Sequence, residues 1–70
     1  MGYKQDSLIT PRELEVLKLI VQGNSNSEIA KILGITHHTV KAHVSSILRK
    51  FNVETRVEAV ICAMRAKIID

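Results

Sequence analysis

The sequence predicts an all-α fold, a four-helix domain, and three observations carry that reading. The pattern Thr/Ser-x-x-Glu occurs at Thr10–Glu13, Ser25–Glu28 and Thr55–Glu58. In each, a hydroxyl caps the first free N–H groups of a helix and the glutamate reaches back to the cap. The apolar residues that follow recur at three and four positions, the period of one helix face. Gly23 and Gly34 stand where the first two apolar runs end, as glycine does just past a helix C-terminus. Helix, tight glycine turn and helix follow one another mid-chain, so a helix-turn-helix lies at the centre of the domain.

The chain divides into a flexible lead, residues 1–7, and one domain, residues 8–70. Leu8 or Ile9 is expected to staple onto the first helix. Thr10 caps that helix, Pro11 takes the first helical position where its missing N–H costs nothing, and Glu13 completes the box. Leu14, Leu17 and Val21 form a stripe that Val16 and Ile20 widen, and Gly23 stops the helix. The helix reads as scaffold, with Arg12 a solvated surface arginine.

The second helix starts at Ser25 and presents Ile29, Ala30, Ile32 and Leu33 as its apolar face. Gly34 ends it, Ile35 plugs the turn, and Thr36 caps the third helix. In that third helix Val40, Val44, Ile47, Leu48 and Phe51 share one face at about 100° per residue and must point inward. The opposite face holds His38, Ala42, Ser45 and Arg49, with Lys41 on one shoulder and Thr39, Ser46 and Lys50 on the other. None of these is an acid. Small residues permit close approach, hydroxyls can bond phosphate, and cations are drawn to it with release of condensed counterions.

Asn52-Val53-Glu54 is a turn, and the Thr55 box opens a last helix running to about Lys67. Val57, Val60, Ile61, Met64 and Ile68 lie on one side of it, and Ala59, Cys62, Ala63 and Ala66 extend the apolar surface. A helix apolar nearly all round is buried on two sides. One side is expected to face the core and the other a second protomer, with Val57, Ile61, Cys62 and Arg65 as the dimer contacts; the alternatives are that part of this surface is exposed or is covered in a longer parent chain.

The net charge of +3 is unevenly spread. Over residues 1–28, Lys4, Arg12 and Lys18 stand against Asp6, Glu13, Glu15 and Glu28, a net −1. Residues 29–53 hold Lys31, Lys41, Arg49 and Lys50 with no acid, a net +4. Residues 54–70 balance to zero, with Arg56, Arg65 and Lys67 against Glu54, Glu58 and Asp70. The excess therefore sits on the helix-turn-helix, which is the electrostatic footprint of nucleic-acid binding.

Tyr3 and Phe51 are the only aromatic residues. Single-strand binders stack bases on several aromatics, so the composition favours duplex DNA. A single cysteine, Cys62, excludes an intramolecular disulfide and fits a reducing compartment. With no signal peptide and no membrane-spanning run, the expected location is the cytoplasm, in association with the nucleoid. His37, His38 and His43 lack the i, i+4 spacing of two ligands on one helix face, and no nucleophile is arranged with them. Neither a metal, a cofactor nor an enzyme activity is expected.

The strings T-P-R-E-L-E-V-L-K-L-I-V-Q-G, S-N-S-E-I-A, I-T-H-H-T-V-K-A-H-V and N-V-E-T-R-V-E-A-V resemble the LuxR/FixJ/NarL-type helix-turn-helix domain of bacterial transcription regulators. The resemblance covers about residues 8–69. It implies a four-helical domain whose third helix enters the major groove of duplex DNA and whose fourth helix dimerises. It also implies Thr39 on phosphate, Val40 in the core, and Lys41, Ala42 and Ser45 at base edges. Members with a longer polar residue where Ser45 sits would reach further into the groove. Arg49 joins the recognition set, with Ser25, Asn26, His38 and Lys50 on the DNA backbone. An N-terminal regulatory domain in a longer parent chain, often of a response regulator, and RNA polymerase are the further partners implied. The family often has glycine before its final apolar pair; here Lys67 precedes Ile68-Ile69, so the last helix is expected to run on or end less sharply. Two other readings stay open on the residues: a protein-interaction module working through the last helix, and a promoter-reading piece of a polymerase subunit.

Overall fold

Four helices begin at the four caps read from the sequence: α1 (Pro11–Val21), α2 (Asn26–Leu33), α3 (His37–Phe51) and α4 (Arg56–Arg65). The structure, a computed structural model, describes residues 8–69; the expected flexible lead lies outside the described residues. All three capping boxes close, with Thr10, Ser25 and Thr55 each accepting from the N–H of its glutamate and each glutamate accepting in return from the N–H of the cap. Thr36 caps α3 by accepting from Thr39 N at 3.0 Å.

The helix ends follow one design. Each helix is followed by a residue in the left-handed region: Gly23 (φ 93°), Gly34 (φ 69°), Asn52 (φ 56°) and Lys67 (φ 58°). The next N–H then turns back to a carbonyl five residues earlier, Asn24 to Leu19, Ile35 to Ala30, Val53 to Leu48 and Ile68 to Ala63, at 2.9–3.1 Å. This 6→1 bond satisfies a carbonyl that the helix leaves open. The last helix therefore ends at Arg65, short of Lys67, and as sharply as the glycine-stopped helices. Lys67 adopts the conformation for which glycine is suited, against the Cβ–carbonyl clash that costs other residues roughly 1–2 kcal/mol.

α3 packs against all three other helices and is the centre of the fold. The core is Val16, Leu17 and Ile20 of α1, Ile29 and Ala30 of α2, Val40, Ile47 and Phe51 of α3, and Ala59 and Ala63 of α4. Val44 and Leu48 pack at its edge and Ile35 fills the turn between α2 and α3. The inward stripe of α1 is rotated from the expected one: Glu13, Val16, Leu17 and Ile20 are buried, while Leu14 and Val21 are half-buried. Of the two candidate staples, Ile9 packs on the core and Leu8 is exposed. Ile32, expected on the apolar face of α2, is 56% exposed.

α4 packs differently from the other helices. Its inward side is made of alanines, Ala59 and Ala63, with Val60 and Cys62 at the margins, and it leaves Val57, Ile61 and Met64 exposed. Small side chains let the helix lie close on the core, so the larger apolar groups of the same helix point away from it. Ile68 and Ile69 fold back after the Lys67 turn to pack against the core, bordering shallow hollows beside Leu14 and Val21 of α1.

Candidate nucleic-acid interface

One side of α3 is buried along Val40, Ile47 and Phe51, which fixes what the other side shows. His38, Lys41, Ala42, Ser45 and Arg49 are all exposed, and none is an acid. The face is shallow at Ala42 and Ser45 and carries cations at Lys41 and Arg49, an arrangement that admits a groove wall and attracts phosphate. Thr39 is half-buried on the shoulder, with its hydroxyl 2.8 Å from that of Thr36. A threonine hydroxyl both donates and accepts, so when the Thr36 hydroxyl donates to Thr39, the Thr39 proton is left to point outward.

Lys50 departs from expectation. Its Nζ donates to Glu13 Oε1 at 2.7 Å and to the Leu8 carbonyl at 3.0 Å, and its side chain is only 19% exposed. It is held by the scaffold helix and is not an open cation beside Arg49. Ser46, on the same shoulder, donates to Glu13 Oε2 at 2.6 Å. Glu13 also accepts from Thr10 N at 3.0 Å, so one carboxylate caps α1 and latches it to the second half of α3. Burial opposes its ionisation. The hydrogen bonds from Lys50, Ser46 and the Thr10 N–H, together with the Lys50 charge, prevail and hold its pKa at about 2, against an ordinary value near 4.5. The third helix is acid-free along the sequence, yet in space its shoulder carries a buried acid.

At the start of α2, Ser25 is exposed and Asn26 half-buried. Asn26 Oδ1 accepts from Arg56 Nη1 at 2.6 Å, and Arg56 Nη2 donates to the Asn24 carbonyl at 3.1 Å. Asn24 Nδ2 in turn donates to the Leu19 carbonyl at 3.0 Å. The guanidinium at the head of α4 thus ties down the α1–α2 turn and the start of α2 together. With its carbonyl taken by Arg56, Asn26 keeps its amide donors for an outside acceptor. Arg56 counted only as a surface charge in the sequence; no local pattern marks a partner thirty residues away.

On α4, Val57, Ile61 and Met64 form one exposed apolar stripe, with Arg65 exposed at its flank. Cys62, expected with them, is half-buried and packs on the core, well round the helix from Val57. Arg12 pairs with Glu15 at 3.1 Å on the surface of α1. Among the described residues no three His, Cys, Asp or Glu side chains group as metal ligands do.

Residues 7–63 match the family described as bacterial regulatory proteins, luxR family (GerE). The chain belongs to the luxR family of bacterial regulatory proteins. It is 46% identical over 68 residues to the nitrate/nitrite response regulator protein NarP of Escherichia coli K12, covering 94% of this chain and 32% of that protein. It is 50% identical over 62 residues to the response regulator protein VraR of Staphylococcus aureus, covering 89% of this chain and 30% of that protein. This luxR-family chain therefore spans about a third of the length of the curated relatives it matches. Among solved structures, the transcription factor GerE superposes with a TM-score of 0.80 at 33% identity, covering 87% of this chain and 90% of that one. The response regulator ChrA of a heme-sensing two-component system superposes with a TM-score of 0.86 at 35% identity, covering 89% of this chain and 31% of that one. The four-helix luxR-type DNA-binding domain, found in response regulators, is thus the fold and the functional class of this chain. No described helix is long and apolar enough to cross a membrane.

Proposed function

We propose that this domain binds duplex DNA sequence-specifically as a dimer, with α3 in the major groove. The observation that carries the reading is the outer face of α3, where Lys41, Ala42, Ser45 and Arg49 are exposed together without an acid while Val40, Ile47 and Phe51 on the opposite face are buried. Lys41 hydrogen-bonds a guanine edge, Ala42 meets a thymine methyl, and Ser45 makes a short polar contact. Arg49, Thr39 and His38 bind phosphate, and Ser25 and Asn26 do so from the start of α2, where the first helix of such a motif crosses the backbone. Phosphate contacts set register and base edges set sequence. Lys50 is left out of this set because its ammonium is held by Glu13.

Two copies pair through the exposed stripe of Val57, Ile61 and Met64, with Arg65 at its rim, and bind an inverted repeat. The domain works in the cytoplasm, on the nucleoid, as the output part of a longer response regulator. Support for that comes from NarP and VraR, each named a response regulator and each about three times as long as the match. A regulatory domain of such a chain and RNA polymerase are its protein partners.

Selection of sites from a random pool of duplexes at near-physiological salt tests the reading. An enriched inverted repeat with half-sites about one helical turn apart is expected. Binding without enrichment, vanishing as salt rises, would leave only phosphate attraction and overturn it.

A further inference from the structure

We infer that Glu13 is a specificity-determining residue of DNA binding, although it touches no DNA: it holds Lys50 off the phosphate backbone. The inference rests on the DNA-binding reading and deepens it. Lys50 follows Arg49 directly and lies on the shoulder of the proposed DNA face, near the helix end from which backbone contacts are often made. A lysine stem is long and flexible, and an ammonium free at that position would be drawn to phosphate. It is instead closed into a neutral unit, with Glu13 Oε1 at 2.7 Å and the Leu8 carbonyl at 3.0 Å, and its side chain is four-fifths covered. Ser46 at 2.6 Å and Thr10 N at 3.0 Å keep the carboxylate fixed from two other sides.

The consequence is selective. A phosphate contact adds affinity for every sequence and information about none. Withdrawing one cation from the backbone therefore lowers non-specific binding while leaving the base-reading set of Lys41, Ala42 and Ser45 untouched. Glu13 acts through Lys50 and is a positioning residue, with an effect that scaffold strength alone would not produce.

The test is the salt dependence of binding to a duplex of arbitrary sequence, measured from about 0.05 to 0.2 M salt. Wild type, Glu13→Gln and the double variant Glu13→Gln/Lys50→Gln are compared, with folding checked by circular dichroism. Glu13→Gln is expected to steepen the slope of log K against log salt by about 0.9, one added phosphate contact, and to tighten non-specific binding roughly fivefold at 0.15 M. The double variant removes both charges together and is expected to return to the wild-type slope. An unchanged slope in Glu13→Gln overturns the inference. So does a double variant shallower than wild type by about 0.9, since Lys50 would then already be touching phosphate. Should Glu13→Gln unfold, a double variant shallower than wild type by about 0.9 still overturns the inference. A wild type with no salt-dependent duplex binding would instead sink the DNA reading itself, and this inference with it.

Discussion

Glu13→Gln also makes a stability prediction that can be worked from the structure. Glu13 is 5% exposed, and its carboxylate is hydrogen-bonded on both oxygens and paired with Lys50. Its pKa is about 2 in the folded chain against an ordinary value near 4.5. A depressed folded-state pKa stabilises above the unfolded value and ceases to do so as pH falls through the folded value. At 1.36 kcal/mol per pH unit, the stabilisation is roughly 3 kcal/mol at pH 7. It is lost between about pH 4.5 and 2, falling below about 1 kcal/mol at the lower end. A domain of this size has about 4–10 kcal/mol in all, so the latch is a large share. Urea unfolding followed by circular dichroism, repeated across that range, measures it. The difference between wild type and Glu13→Gln isolates the one group, because the other carboxylates titrate in both. Among those is Glu58, whose pKa is lowered by bonds from the N–H groups of Glu54 and Thr55 and from the Thr55 hydroxyl. The expected result is a difference of about 3 kcal/mol at neutral pH that collapses toward pH 2. A difference that stays constant with pH would refute the reasoning, because the carboxylate would then not owe its contribution to being ionised.

Lys67→Gly should stabilise the domain by about 0.5–1 kcal/mol, relief of the left-handed strain less the added freedom of glycine when unfolded; a lower midpoint in thermal unfolding would contradict it. Ile61→Asp should leave the fold intact, since Ile61 is 43% exposed, and should convert a dimer to a monomer in analytical ultracentrifugation; an unchanged mass would remove α4 from the interface. Lys41→Ala should cost about 1–3 kcal/mol on the selected site by fluorescence anisotropy, and equal affinity would exclude it from base reading. Arg56→Lys should cost about 1 kcal/mol, because a lysine cannot hold Asn26 and the Asn24 carbonyl at once; hydrogen exchange at the start of α2 should rise, and unchanged exchange would show the tie to be idle.

The helix starts and the inward side of α3 were legible in the sequence. Capping boxes lie within four residues, so Thr10, Ser25 and Thr55 announced their helices, and the period of Val40, Ile47 and Phe51 set which side of α3 is inward. What was not legible is which charges neutralise each other across the fold. Counting along the chain gave the helix-turn-helix four uncompensated cations, but Lys50 finds its acid 37 residues away in α1. Glu13 read as a cap alone because its second oxygen, free to accept from Ser46, has no signature in a linear pattern. The same holds for Arg56, whose partners Asn24 and Asn26 are about thirty residues upstream. Lys67 illustrates a different limit: glycine at a helix stop is a favourable choice and not a requirement, so its absence did not lengthen the helix.

The composition of α4 showed that it was too apolar for one buried side and put Val57 and Ile61 among the outward groups, yet it did not say which residues would line the core. Hydrophobicity alone would send Ile61 and Met64 inward and leave alanine to solvent. The structure does the reverse, with Ala59 and Ala63 at 1% and 0% exposure and Val57 at 67%. Close approach of the helix accounts for it: α1 and α3 already fill the centre with Leu17, Val16 and Ile47, and α4 turns the small side chains of Ala59 and Ala63 toward them. The large side chains outside then form a surface whose exposure is unfavourable by about 25 cal/mol for each Å² of apolar area. A second copy that covers it recovers that term. In a dimeric reading, the alanines and the exposed stripe are therefore two parts of one arrangement: the small residues seat the helix and the large ones face its twin. Arg56, one residue before Val57, continues from that stripe to the start of α2 through Asn26, so the surface proposed to pair is joined by a single guanidinium to the segment proposed to meet the DNA backbone.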